Sequence, residues 1–318
     1  MKIGLDVFGG DFAPVETIKG AILAREALQP PDRVVLIGKK EIILSLLEEY
    51  HADPSGFDIV HAPDVIEMGE SPTKAFNQKP HSSIAEGFRL LKHKEIDAFA
   101  SAGSSGAMLV GCVYVVNTIP GIIRPSALTF IPKENGGLSL LIDVGINPDA
   151  KADVLYQFGI LGSLYAKYIQ HIAKPNVGLL NIGTEEKKGN LVTQSVYQLM
   201  KGTRDFHFVG NVESRDLFKD SVHVFVCDGF IGNIILKQSE AIYRVLAKRG
   251  IRDSYLERFN YELYGGSPIL GINETVVVGH GISNAVAIKN MILLTRDVHQ
   301  AGLTEKIRQA LRKFAADN

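Results

Sequence analysis

The strongest constraint on this chain is an alternation that runs from one end to the other. A short apolar run rich in β-branched residues is followed by a run with helical spacing, again and again. "MKIGLD" precedes "PVETIKGAILAREAL", "RVVLIG" precedes "KKEIILSLLEEY", and "NVGLLNIG" precedes "LVTQSVYQLMKG". The strand-like runs do not alternate strictly between polar and apolar residues, so they predict a sheet buried on both faces. Strands separated by helices predict parallel βαβ units. The expected fold is a three-layer α/β/α arrangement around a mostly parallel sheet. At 318 residues the chain can bury a large core as one α/β unit, whole or in two lobes. The one segment that breaks the rhythm is "GIRDSYLERFNYELYGGSP", polar and aromatic, which predicts a short excursion at about residues 250–268.

Ligands of open parallel sheets bind beyond the carboxyl ends of the strands. Five strand ends here share one signature of small residues, a polar group and then a helix. "LDVFGGDFAP" carries Asp6, Gly9, Gly10 and Asp11, and "FASAGSSGAM" carries Ser101, Gly103, Ser104, Ser105 and Gly106. "NIGTEEKKGN" carries Glu185, Lys188, Gly189 and Asn190, "VCDGFIGNIILK" carries Asp228, Gly229, Gly232 and Asn233, and "VVGHGISNA" carries His280. One glycine at a strand–helix turn is often only steric relief. Five such turns predict a cleft floored by backbone N–H groups and helix N-termini, suited to an anion such as phosphate.

Several function classes are disfavoured. The formal net charge is −1, so no global field draws in nucleic acid. Cys112 and Cys227 sit in apolar runs and read as reduced core thiols of a cytoplasmic protein. No run is long enough for a signal peptide or a membrane span. The chain lacks a G-x-x-x-x-G-K-[ST] loop, a G-x-G-x-x-G turn after a strand and a G-x-S-x-G elbow. The histidines are scattered, and Asp149 and Asp153 read as charges at a helix start, so no metal and no cofactor is expected. His223 and Cys227 would share a strand face, but their apolar neighbours favour burial over a nucleophile pair. What remains is phosphate-holding loops and a lysine, which suits a reaction in which phosphate itself attacks.

The motifs "LDVFGGDFAP", "ASAGSSGA", "LLIDVGIN", "LLNIGTEEKKGN", "FVGNVESRD", "VCDGFIGNIILK" and "YGGSPILG", in this order, resemble the bacterial phosphate acyltransferase family. The resemblance runs from Leu5 to about Asn290. It implies a fold similar to the isocitrate/isopropylmalate dehydrogenase and phosphotransacetylase group, and a homodimer. The implied reaction transfers a fatty acyl group from acyl-acyl-carrier protein to inorganic phosphate. The acyl phosphate would then pass to a membrane glycerol-3-phosphate acyltransferase, which implies work at the inner face of the membrane. By position, the lysine of the G-x-E-x-x-K-G pattern is Lys188 and the asparagine of C-D-G-F-x-G-N is Asn233, which in the family look like the catalytic pair. The chain departs from the family at Phe8 and Phe12, where methionine and histidine are common, and at Ser104 and Ser105, which replace asparagine and threonine. The segment before "YGGSP" is also shorter than the projecting helical pair with which members touch the membrane. A carrier protein is acidic, so a basic landing patch is expected at Lys248, Arg249 and Arg252 or at Lys306, Arg308, Arg312 and Lys313. Two other readings stay open: a metal- and NAD(P)-dependent dehydrogenase of the same fold, and a non-catalytic phosphate or acyl-phosphate binder.

Overall fold

A computed structural model describes residues 1–317, with side chains through Arg312, and places the side chain of Lys313 outside the described residues. The chain divides into two compact units: Met1–Thr118 with Tyr261–Gln300, and Ile119–Asn260 with Ala301–Asn318.

The first unit opens with β1 (Lys2–Asp6), α1 (Val15–Ala27), β2 (Arg33–Gly38), α2 (Lys40–Glu49) and β3 (Asp58–His61). It continues through α3 (Pro72–Gln78), α4 (Ser83–Lys92), β4 (Ala98–Ser101) and α5 (Ser105–Val110). In the second unit follow β5 (Ser126–Pro132), β6 (Leu138–Ile142), α6 (Ala152–Tyr168), β7 (Asn176–Leu180) and α7 (Leu191–Met200). Then come β8 (His207–Val212), β9 (Val224–Val226) and the long α8 (Gly229–Lys248). The chain returns to the first unit for β10 (Ser267–Leu270), β11 (Thr275–Val278) and α9 (Ala285–Gln300), and ends in the second with α10 (Leu303–Asp317).

In the first unit the strands lie in the order β3-β2-β1-β4-β11-β10, parallel except for the β10–β11 hairpin. Ile3, Leu5, Val34, Leu36, Ala100 and Val277 face α1, α2 and α9 in one apolar cluster. Gly20 lets α1 and α9 close up, since a Cβ there would sit 2.5 Å from that of Ile288. The opposite face carries Phe99, whose ring meets Phe88 of α4 edge-on at 5.3 Å. Helices therefore cover both faces, as the unbroken apolar strands require. The second unit orders its strands β5-β6-β9-β7-β8, parallel except for β5–β6. There Gly162 brings α6 onto Val224 of β9.

Two local features differ from the sequence expectation. A helix, α3, forms where no apolar periodicity marks one, with Pro72 in its first turn. The apolar run after Ser105 is helical only to Val110 and then widens into a π turn over Gly111–Val115. At Gly111 a Cβ would lie 2.1 Å from the Phe88 ring, so α4 packs directly against that backbone. The segment expected to leave the core forms two short 3₁₀ turns, Leu256–Phe259 and Tyr261–Leu263.

Candidate active site

The residues singled out from the sequence gather in two groups, one in each unit. In the first unit Asp6, at the end of β1, is buried and accepts from the Phe8 N–H at 3.1 Å and the Ser101 hydroxyl at 2.7 Å. Ser101 in turn accepts from the Gly103 N–H at 2.9 Å. Burial raises the Asp6 pKa against the lowering effect of these bonds. Gly9 fits over this pair only because it lacks a side chain: a Cβ would lie 2.5 Å from Asp6 Oδ2 and 2.6 Å from the Gly103 nitrogen. Gly10 has φ +110°, which favours glycine, and the next N–H, of Asp11, donates to the Gly281 carbonyl at 2.7 Å. Ser104 caps α5 by accepting from the Ala107 N–H at 3.3 Å, leaving Ser105 exposed. Gly106 lies under Pro72, and the His280 ring meets Tyr261 edge-on at 5.1 Å. Asp6 and Ser101 thus face inward and fix the loop, while Asp11 and Ser105 face solvent.

In the second unit the loop after β7 is pinned by two asparagines. Asn181 donates from Nδ2 to the Lys188 carbonyl at 3.2 Å and to Asn211 Oδ1 at 3.1 Å. Asn211 donates to the Glu185 carbonyl at 2.8 Å. Gly189, at φ +90°, passes so close to Asn181 and Thr193 that a Cβ would meet Thr193 Oγ1 at 2.1 Å. Asn190 then caps α7 by accepting from the Thr193 N–H at 2.8 Å. The loop backbone is fixed, but the Lys188 side chain is 49% exposed. Its ammonium lies 3.8 Å from Glu185 Oε1, itself 67% exposed, which is a loose ion pair and worth little in water.

Beside it, α8 begins at a hub built on Asp143. This buried carboxylate accepts from the N–H groups of Ala127 (2.9 Å), Val144 (2.8 Å) and Asn147 (2.6 Å), and from the Asn147 amide (2.9 Å). Burial nevertheless raises its pKa. Gly229 and Gly232 lie against the hub; a Cβ on Gly232 would fall 1.9 Å from the Asp143 carbonyl oxygen. Asp228 caps α8 by accepting from the Ile231 N–H at 2.8 Å, and the Gly229 N–H donates to the Asn147 carbonyl at 2.8 Å. With those donors engaged, the exposed polar group on this first turn is the Asn233 amide, which lies against Gly145.

His223 and Cys227 do not pair. His223 accepts from the Asn176 N–H at 3.0 Å, and the buried Cys227 thiol points to the Asp143 carbonyl at 3.7 Å, with burial pushing its pKa up. Asp149 precedes α6, and only Asp153 lies in its first turn. Asp143, Asn147, Asn181 and Asn211 were not singled out from the sequence. Each is a polar residue at or just beyond a strand end in the quoted motifs, which is the signal that could have found them.

The profile of a family described as "Fatty acid synthesis protein" matches residues 1–255. The chain belongs to this family. Relatives agree along the full length. The phosphate acyltransferase of Dictyoglomus turgidum is 39% identical over 334 residues, covering 99% of this chain and 98% of the relative. That of Pelotomaculum thermopropionicum is 41% identical, covering 99% and 96%. Among solved structures, the EutD phosphotransacetylase of Staphylococcus aureus superposes with a TM-score of 0.64 at 16% identity, covering 95% of this chain and 94% of that one. A phosphotransacetylase of Streptococcus pyogenes gives 0.64 at 18% identity, covering 98% and 94%. These two likenesses establish the family's fold here: a mostly parallel α/β sheet with helices, of the kind found in phosphotransacetylases.

Proposed function

We propose that this protein transfers a fatty acyl group from a carrier-protein thioester to inorganic phosphate, giving an acyl phosphate for phospholipid synthesis. The supporting observation is the pairing, in one unit, of a half-exposed lysine on a pinned loop with an exposed asparagine on a helix start. The near-full-length likeness to phosphate acyltransferases gives that pairing its chemistry.

In this reading Lys188 holds the phosphate. A phosphate oxygen attacks the thioester carbon, a C–O bond forms, and the carbonyl oxygen becomes an oxyanion. Asn233 donates its amide N–H to that oxyanion. The intermediate then collapses with cleavage of the C–S bond, and the thiolate leaves without needing a strong acid. Catalysis is positioning and charge stabilisation, for which one well-aimed donor is worth ~3 kcal/mol.

An acidic carrier fits the end of α8. Lys248, Arg249 and Arg252 are exposed there, and among the described residues only Arg252 has a carboxylate nearby, Glu257 at 3.6 Å. The last helix is less suited: Lys306 stacks over the Tyr168 ring at 4.1 Å and Arg308 is bonded to Glu305. Replacing Lys248 and Arg249 by glutamate is expected to raise KM for an acyl-carrier thioester about tenfold and leave the coenzyme A thioester unchanged. An equal effect on both donors would remove the patch from the reading. The exposed apolar residues Ile234, Ile242 and Val245 on α8 support a homodimer. Among the described residues no helix is long and apolar enough to cross a membrane, so work at the membrane face would be peripheral.

A further inference from the structure

We propose that the acyl chain lies in a cavity of about 670 Å³ inside the second unit, between α6, α7 and α8. This rests on the acyl-transfer reading above and adds to it the place where the substrate's chain length is read.

The cavity wall is mainly aliphatic. Leu155 of α6, Leu179 and Leu180 of β7, Val192 of α7, and Ile231 and Ile235 of α8 line it. Its polarity is graded. At the mouth, Ile182, Val192 and Ile231 are exposed, while Leu155, Leu179 and Leu180 at the inner end are buried. A single alkyl chain entering from the mouth would therefore pass from wet to dry surface. Its volume is in the range that holds a ligand of drug or lipid size.

The charges on the wall select against other occupants. Asp149, Glu213 and Asp228 line it, and among the described residues no lysine, arginine or histidine does. A phosphate or an acidic peptide would be repelled by these carboxylates, whereas a hydrocarbon seated on the aliphatic part of the wall carries no charge to repel. The unit-1 cavity of about 570 Å³ carries both signs of charge, with Lys2 and Lys94 beside Asp58, Glu95 and Asp97.

The mouth adjoins the chemistry. Asn181, Gly189, Asn190 and Asp228 all line the cavity. The first of these holds the Lys188 carbonyl at 3.2 Å, and Gly189 is the next residue in the chain. Ile231 and Ile235, a turn apart, share the face of α8 that lines the cavity, and Asn233 lies on a neighbouring face against Gly145. A thioester whose chain runs inward would leave its carbonyl at the rim formed by the Lys188 loop and the start of α8. Each methylene that enters adds binding roughly in proportion to its buried area, so the inner end sets the preferred length.

Leu155→Trp fills the inner end, and Ile235→Trp narrows the same space from the half-buried side of α8, where a fold defect is not expected. In either folded variant, kcat/KM for a hexadecanoyl thioester should drop about tenfold or more while that for a hexanoyl thioester holds. Palmitate binding, followed by calorimetry on the wild type and the Ile235→Trp protein, should weaken in parallel. Equal losses for both chain lengths, or unchanged palmitate binding, would overturn the assignment while leaving acyl transfer to phosphate intact. Palmitate binding that depends on Ile235, in a wild-type protein that makes no acyl phosphate, would instead support the cavity and reject the proposed reaction.

Discussion

Lys188→Ala is expected to lower kcat for acyl phosphate formation by about 10²-fold or more, with little change in the thermal midpoint. The two halves of this expectation have separate causes. The side chain is half exposed and, among the described residues, its only ion pair is the loose one to Glu185, so its removal should move stability by no more than ~0.5 kcal/mol. The loop itself is held by Asn181, Asn211 and the Gly189 turn, none of which needs the ammonium. Loss of a positive charge aimed at an attacking phosphate is a loss of charge stabilisation, of the size seen when a single oxyanion donor is deleted. Glu185→Ala is the control, because it breaks the same ion pair and keeps the lysine. If both substitutions leave turnover within about twofold of wild type, Lys188 is a solvated surface residue.

Asp143→Ala is expected to destabilise the protein by ~4 kcal/mol or more, measured by urea unfolding. The backbone N–H groups of Ala127 and Asn147 would lose their acceptor inside the core, while the Val144 N–H keeps the Ala127 carbonyl at 3.2 Å and the Asn147 amide keeps that of Pro125 at 2.8 Å. An orphaned buried donor costs about 1–3 kcal/mol, and this site orphans two at once. The hub also carries the start of α8 through Gly229 and Gly232, so Asn233 should lose its position and activity should fall with stability. Asp143→Asn retains one acceptor oxygen and should fall between the two. A change below ~1 kcal/mol for Asp143→Ala would mean that the hub does not hold this end of the helix.

Much of this architecture is legible in the sequence because its cause is local. Unbroken runs such as "RVVLIG" and "LSLLI" become buried strands, the first parallel to its neighbours and the second parallel to β9 and antiparallel to β5. The strand-end loops are legible for the same reason, since glycines such as Gly9 and Gly189 answer to contacts a Cβ would violate. What escapes is set by distant partners. The π turn after Val110 packs against the ring of Phe88, a partner distant in sequence, and α3 has too few apolar positions to show a period. Asp143 reads as one acid among many until the fold brings Ala127 and Asn147 to it. The choice between two basic patches is hidden likewise. Only the structure pairs Lys306 with Tyr168 and Arg308 with Glu305, leaving Lys248 and Arg249 open.

The reaction itself is tested most directly by following free thiol and acyl phosphate together. The purified protein would be mixed with a hexadecanoyl-carrier thioester, with and without inorganic phosphate. Thiol release that requires phosphate, matched by an equal amount of acyl phosphate and abolished by Lys188→Ala, is the predicted result. Thiol released at the same rate without phosphate would mean that water is the acceptor, and acyl transfer to phosphate would be contradicted.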